Sequence, residues 1–247
     1  MSLPEILSLS ILIAVVAALY SSVGHGGASG YLAVMSFVIL DPPLMSTTAL
    51  LLNVLVAGIG TIQFSRAGHF SWKLALPFVL LSVPFAFVGG LLRISALTYS
   101  LLLAGVLVFT SYRFFRMTSH GEEQSVPPSK AVALGAGGGI GFLSGIVGVG
   151  GGIFLSPIMI LMKWATTKQT AAISAFFIVV NSIAGLGGRF ARGGLEVGYI
   201  WPFVLAAAAG GLIGSYFGAG KFTSALLRRV LGVVLLIAAV KLIVTAL

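Results

Sequence analysis

Two glycine-rich tracts carry the residues of this sequence best suited to hold a ligand. They are residues 21–27 (SSVGHGG) and residues 145–152 (GIVGVGGG). A helix that starts directly after such glycines has backbone N–H groups without intrahelical partners, and its dipole favours negative charge at that end. The alternative is that these small residues only let helices pack closely. The tracts predict an anion site made of main chain, built from Gly24, Gly26, Gly27, Gly148, Gly150, Gly151 and Gly152.

Both tracts interrupt apolar sequence of membrane length. The chain has 247 residues, of which 58% are hydrophobic and 8% charged, whereas about 25% charged residues are usual in soluble domains. A broken helix in hydrocarbon leaves backbone groups unpaired at a cost of several kcal/mol each, so it persists only where protein or a water-lined cavity satisfies them. A duplicated break is typical of transporter cores.

The sequence divides into two halves at a polar linker, residues 119–130. Each half, residues 1–118 and residues 131–247, contains five apolar segments. Residues 64–68 (FSRAG) match residues 190–194 (FARGG), and Asn53 matches Asn181. Five is an odd number, so we predict an all-α polytopic membrane protein of about ten segments in two inverted-topology repeats. Segments 28–40 and 153–162 are short for a full crossing; if one segment in each half failed to cross, the repeats would be parallel.

The net charge of +9 comes from 14 Lys and Arg residues against 5 Asp and Glu. The basic residues are scattered singly, which argues against a nucleic-acid partner. With ten crossings, ten basic residues fall on one face and four on the other, so the positive-inside rule predicts a cytoplasmic linker and termini outside. The four are Arg93, Arg189, Arg192 and Lys241.

Five side chains join the glycines as candidates. Arg66 and Arg192 end the third segment of each half, where a guanidinium fork would guide an oxyanion or else extend to lipid headgroups. Asn53 and Asn181 lie in apolar runs, as interhelical hydrogen-bonding groups or, less favoured, as ligands. His25 is the ionisable residue of the first tract, either a proton carrier or a neutral imidazole with a backbone partner.

The motifs of enzymes are missing from the sequence. It has no nucleophile–base pair, HExxH, P-loop or cluster of metal ligands, and no cysteine. No carboxylate falls in the middle of a segment, which makes a carboxylate proton relay or a cation site improbable. We therefore expect neither enzymatic activity nor a cofactor.

The sequence resembles the TauE/SafE sulfite exporter family. The resemblance rests on paired glycine tracts of the type found in residues 148–157 (GVGGGIFLSP), each followed by an Asn-bearing helix and a Phe-x-Arg-x-Gly turn. The first tract departs from this pattern, with His25 between two glycines and no proline at Ala33.

This resemblance implies a secondary transporter of the bacterial or archaeal inner membrane. Such a protein would export sulfite or an organosulfonate such as sulfoacetate, by alternating access. Its expected partners are the sulfur oxyanion and the lipid bilayer, with a homodimer as one option. The alternatives are a passive anion channel and, less favoured, a membrane enzyme. The predicted substrate-binding residues are Gly24, His25, Gly26, Gly27, Asn53, Arg66, Gly148, Gly150, Gly151, Gly152, Asn181 and Arg192.

Overall fold

A computed structural model describes residues 3–38, 41–116, 125–193, 200–219 and 225–246. Every regular element in these residues is a helix, which confirms the all-α polytopic fold. The helices are α1 (Leu3–Ser21), α2 (Ala28–Met35), α3 (Pro42–Arg66), α4 (Trp72–Leu91), α5 (Ala96–Arg116), α6 (Lys130–Val147), α7 (Gly152–Leu161), α8 (Thr167–Ala191), α9 (Trp201–Ala219) and α10 (Ala225–Ala246).

Seven helices of the described chain are long and apolar enough to cross a membrane: α1, α3, α4, α5, α6, α8 and α9. By contrast, α2 has 8 residues and α7 has 10. At 1.5 Å per residue they span about 12 and 15 Å, roughly half of the hydrocarbon thickness. The second segment ends at Met35 instead of residue 40, because the chain turns there and the Val38 N–H bonds to the Met35 carbonyl.

The matching helices α3 and α8 lie antiparallel. Ser46 near the start of α3 is hydrogen-bonded to Arg189 near the end of α8. At the other end of the pair, Phe64 of α3 packs on Ala171 of α8. This antiparallel pairing of equivalent helices is the arrangement expected of an inverted repeat.

Each half places its fourth helix against the first helix of the other half. On α6, a glycine at every fourth position lets the backbone of α4 approach. Glycines at every fourth position of α9 likewise let the backbone of α1 approach. In both pairs the helices run in the same direction, which interlocks the two halves. The glycines are Gly137, Gly141 and Gly145 on α6 and Gly210, Gly214 and Gly218 on α9.

The short helix α7 runs back toward the side on which α6 begins. The Val126 N–H donates to the Lys163 carbonyl at 2.9 Å, which joins the residues before α6 to those after α7. In the other half, Ala28 at the start of α2 lies against Asn53, halfway along α3, and α2 ends near the start of α3. Both short helices thus start within the membrane. Although one short segment in each half is too short to cross fully, the equivalent helices α3 and α8 are antiparallel, so the repeats are inverted. The halves meet at residues 119–130, of which 119–124 lie outside the described residues, so that boundary stays a prediction.

Candidate functional site

Five glycines of the two tracts have positive φ angles. The values are 76° at Gly24, 102° at Gly27, 86° at Gly148, 74° at Gly150 and 81° at Gly151. Residues other than glycine rarely adopt this backbone conformation without strain. It ends α1 and α6 and redirects the chain into α2 and α7, so the helices are broken where the sequence predicts.

Backbone groups of the first tract find partners inside the protein. The His25 N–H donates to the Tyr20 carbonyl at 2.9 Å and the Gly24 N–H to the Ser21 carbonyl at 3.1 Å, the two bonds of a Schellman-type helix end. The Tyr31 hydroxyl donates to the Gly26 carbonyl at 2.7 Å. The break is therefore stabilised by hydrogen bonds within the bilayer.

Asn53 joins the two tracts. Its Oδ1 accepts from the Ala28 N–H at 3.1 Å, and its Nδ2 donates to the Val149 carbonyl at 3.2 Å. The side chain is fully buried. A Cβ added at Gly26 would lie 2.3 Å from Asn53 Oδ1, and one at Gly150 would lie 2.7 Å from Nδ2. The amide thus brings both breaks to one point, in the interhelical role that the sequence favours.

Ile178, and not Asn181, is the counterpart of Asn53 on α8. Asn53 and Ile178 are each the twelfth residue of their helix, and Ile178 likewise faces Gly26, Gly150 and Gly152. The predicted match between Asn53 and Asn181 is wrong by about one helical turn.

The Oγ atoms of Ser144 and Ser182, beside the second tract, have no hydrogen-bond partner among the described residues, and neither does Oδ1 of Asn181 on α8. All three residues are fully buried. Ser182 Oγ would lie 3.0 Å from a Cβ at Gly150, and Ser144 lies against Gly151. Nδ2 of Asn181 donates to the Phe177 carbonyl of its own helix at 2.8 Å. A hydroxyl can donate to an anion, so these serines are ligand candidates that the sequence analysis missed.

A cavity of about 360 Å³ opens where α4, α6 and α8 end and α3 begins. It reaches Ile146 in the last turn of α6, two residues before Gly148. Three arginines share this space. The lining residues are Pro42, Pro43, Ser46, Thr47, Leu92, Arg93, Ile94, Tyr99, Ile146, Arg189, Arg192 and Gly193.

Arg189 is buried in the wall of this cavity and holds the end of α6. Its Nη1 donates to the Gly145 carbonyl at 2.9 Å and to the Gly185 carbonyl at 3.2 Å. Its Nη2 donates to the Ile146 carbonyl at 3.2 Å. The last carbonyls of a helix have no partner within it, so the guanidinium satisfies the end of α6 just before the break. From the sequence, Arg189 was expected only to add a positive charge to its face of the membrane.

The two predicted guide arginines lie at opposite ends of the α3–α8 pair. Arg192 lines the cavity and donates to the Leu92 carbonyl, and Arg93 donates to the Arg192 carbonyl at 3.1 Å. Arg66 is exposed at the end of α3, about 20 Å along the helix from Asn53. The structure thus gathers the glycines around Asn53 and leaves both guides outside that group.

His25 has the backbone partner considered for it in the sequence. Its Nδ1 lies 3.1 Å from the Val23 carbonyl oxygen, and the ring is half-buried next to Tyr20. The imidazole also has a hydrogen-bonding contact with the backbone of Gly152, so it touches both tracts. The contact with Val23 fits the neutral alternative and leaves the role of His25 in binding a prediction.

Replacing Asn53 with leucine is expected to cost about 2–6 kcal/mol of stability, because two buried backbone groups lose their partners at about 1–3 kcal/mol each. Asn181→Leu is the matched control. It removes one bond within a helix and one buried oxygen without a partner, so its effect should stay below about 1 kcal/mol. Thermal melts of the purified proteins in detergent measure the difference. Equal melting temperatures for the two variants would contradict the role of Asn53 as a link between the breaks.

The comparisons with known proteins agree with this architecture. The family description "Sulfite exporter TauE/SafE" matches residues 9–242. The probable membrane transporter protein y4hK of Sinorhizobium fredii is 36% identical over 96% of this chain and 98% of its own length. The probable membrane transporter protein MJ0441 of Methanocaldococcus jannaschii is 28% identical over 52% of this chain and 49% of its own length. No solved structure gives a significant match.

A family match over nearly the whole chain, with a full-length relative above 30% identity, settles the assignment. It identifies the protein as a multi-pass membrane transporter, in line with the seven helices of spanning length. The chain belongs to the TauE/SafE sulfite exporter family.

Proposed function

We propose that this chain is a secondary transporter that exports sulfite or a small organosulfonate by alternating access. The observation that supports it best is the meeting of two half-helix N-termini at one point. α2 starts at Ala28, bonded to Asn53, and α7 starts at Gly152, against Ile178. Each N-terminus carries about half a positive charge, and both lie between the same two central helices.

Such a site would bind an anion mainly through partial charges, with the charge of Arg113 close enough to act on His25 of the first tract. Its donors would be main-chain N–H groups together with the hydroxyls of Ser144 and Ser182, which have no hydrogen-bond partner in the described part of the chain. Partial charges and hydroxyls hold an oxyanion less tightly than a buried guanidinium would. Moderate binding suits a carrier, because the substrate must leave on the far side.

The arrangement of the breaks suits access from either side in turn. Gly148 in the second tract lies against Ser46 at one end of α3, while Gly24 in the first tract lies against Ala171 near the start of α8. The two tracts therefore approach opposite ends of the α3–α8 pair. If the protein opened first beside one tract and then beside the other, the central glycines would be exposed to each side of the membrane in turn. Arg66 and Arg192 would guide the anion at the two entrances.

We place the protein in the inner membrane with the cavity open to the outside. The cavity carries Arg93, Arg189 and Arg192, which belong to the face with fewer basic residues. The positive-inside rule assigns that face to the exterior and the linker to the cytoplasm. Both termini would then lie outside.

Transport by proteoliposomes tests the proposal. Labelled sulfite and sulfoacetate should enter with saturable kinetics, and unlabelled substrate loaded inside should accelerate that entry by exchange. Chloride should not compete. Flux that neither saturates nor responds to substrate on the opposite side would favour a passive channel, and chemically altered sulfite would favour an enzyme. Absence of flux for every sulfur oxyanion would refute the proposal.

A further inference from the structure

We infer that Phe64 closes the path between the central glycines and the cytoplasm, by packing on Ala171 and Ala172 at the far end of the α3–α8 pair. The inference rests on the proposed function for its transport cycle, and it adds the residues that seal one side of the membrane. We call Phe64, Ala171, Ala172 and the adjacent Gly24 the inner gate.

The inverted repeat places Phe64 where the other half has Arg189. Each is the twenty-third residue of its helix. Phe64 packs on Ala171, the fifth residue of α8. Arg189 is hydrogen-bonded to Ser46, the fifth residue of α3. The helix pair therefore has equivalent contacts at its two ends, one of them polar and the other apolar.

Each of these contacts touches a glycine break. A Cβ added at Gly148 would lie 2.8 Å from the Cβ of Ser46, and one added at Gly24 would lie 2.5 Å from the Cβ of Ala171. Both glycines have positive φ angles, at the points where α6 and α1 end. A movement of the main chain at either break would therefore shift the contact beside it. Such coupling suits a gate in a transporter with discontinuous helices.

The two contacts differ in their surroundings. Ser46 and Arg189 are among the residues that line the cavity. At the opposite end, Phe64 is 1% exposed and Ala172 is fully buried in an apolar cluster. An anion that passed this cluster would lose hydrogen bonds to water without replacement, and hydrophobic constrictions close pores by excluding water. The Phe64 end is therefore built as a seal.

Three aromatic side chains brace the inner gate. Phe70, in the turn after α3, packs on the cluster of Phe64. Its ring meets the rings of Trp72 and Phe176 edge-on, at centroid distances of 5.0 and 5.3 Å, and those two rings meet each other at 5.2 Å. Phe176 belongs to α8, so these contacts join the end of α3 to α8 beside the gate. Opening would separate this cluster or move it as one body.

A cysteine placed behind the inner gate reports its opening, because the sequence contains no native cysteine. Gly60 is buried one helical turn from Phe64 toward Asn53, and a Cβ there would lie 3.7 Å from the Cβ of Ala175, an ordinary contact. In purified Gly60→Cys, a charged methanethiosulfonate should react slowly. Adding Phe64→Ala should accelerate the reaction about tenfold, because the closed gate loses most of its buried apolar surface.

Two controls separate gating from general loosening of the fold. Phe190→Ala removes a phenylalanine that is 68% exposed at the end of α8, and it should leave the rate at Gly60→Cys unchanged. Ala104→Cys places the thiol in the buried core of α5, away from the gate, where Phe64→Ala should not change its rate. Phe64→Leu keeps an apolar side chain, so it serves if the alanine variant does not fold, and it should accelerate the reaction at Gly60→Cys about threefold.

Three results would overturn the inner gate: no reaction of Gly60→Cys in any background, a rate unaffected by both Phe64 variants, or an equal acceleration at Ala104→Cys. The failure of the proposed function is separable. Vesicles that transport sulfite while the Phe64 variants leave the thiol rate unchanged would refute the inner gate alone. Acceleration at Gly60→Cys without transport of any sulfur oxyanion would refute the choice of substrate alone.

Discussion

Gly150→Ala is expected to abolish sulfite transport while the chain still folds and inserts. The added methyl group would lie 2.7 Å from Asn53 Nδ2 and 2.8 Å from Ile178 Cγ2, and φ at this position is +74°. The left-handed conformation costs a residue with a Cβ about 1–2 kcal/mol, and overpacking adds about 1–3 kcal/mol. The structure can relieve both by moving the second break away from Asn53, which would disassemble the point where the two half-helices meet.

Gly139→Ala is the matched control. Gly139 lies on α6 with open space around the position of a Cβ, so alanine there should stabilise the helix by up to about 1 kcal/mol and leave transport intact. Equal amounts of each variant in proteoliposomes, loaded with sulfite, provide the comparison. Native transport rates for Gly150→Ala would show that the geometry of this break is not required.

Helix positions were predictable from the sequence because apolar runs and polar ends report directly on membrane crossings. Each half of the described chain contains five helices, as predicted from its five apolar segments. The seventh segment, predicted at residues 153–162, is the helix Gly152–Leu161. The glycine tracts also broke the helices where expected, since a run such as Gly150-Gly151-Gly152 destabilises a continuous helix.

The register of the repeats was harder to predict. Two asparagines in matching apolar helices suggested equivalence, yet the position that faces both breaks on α8 is Ile178 and not Asn181. Identity of residue type carries little information when the contacts differ between the halves. The distance of each residue from the start of its helix in the structure gives the match.

The role of Arg189 could not be read from the sequence for a different reason. Apart from the Ser46 hydroxyl, its partners among the described residues are backbone carbonyls, one of them 44 residues away in the chain. Every residue type has a backbone carbonyl, so such partners cannot be recognised from the sequence, and a search for acidic partners does not find them. Its position inside an apolar run was the available signal, because an intramembrane arginine is by default a candidate for function.

Arg189→Lys is expected to lower the melting temperature in detergent by about 10 °C. The guanidinium binds the Gly145, Ile146 and Gly185 carbonyls from a buried position. A lysine ammonium is a single point on a flexible stem and cannot reproduce the planar fork. Losing two bonds from a charged donor, at about 1.5–3 kcal/mol each, corresponds to roughly this shift when 1 kcal/mol changes the melting temperature by about 2–4 °C.

Arg66→Lys gives the comparison for this experiment, because Arg66 ends the matching helix, keeps its charge on substitution and is exposed. Its melting temperature should stay within about 2 °C of the native protein, since exposed substitutions change stability by about 0.5 kcal/mol or less. The loss of stability in Arg189→Lys should arise at the second break, because the end of α6 would lose hydrogen-bond partners. The contact between α1 and α9 would be unaffected. If Arg189→Lys melts like Arg66→Lys, the guanidinium does not hold the end of α6, and the cavity wall depends instead on the glycine contacts between α4 and α6.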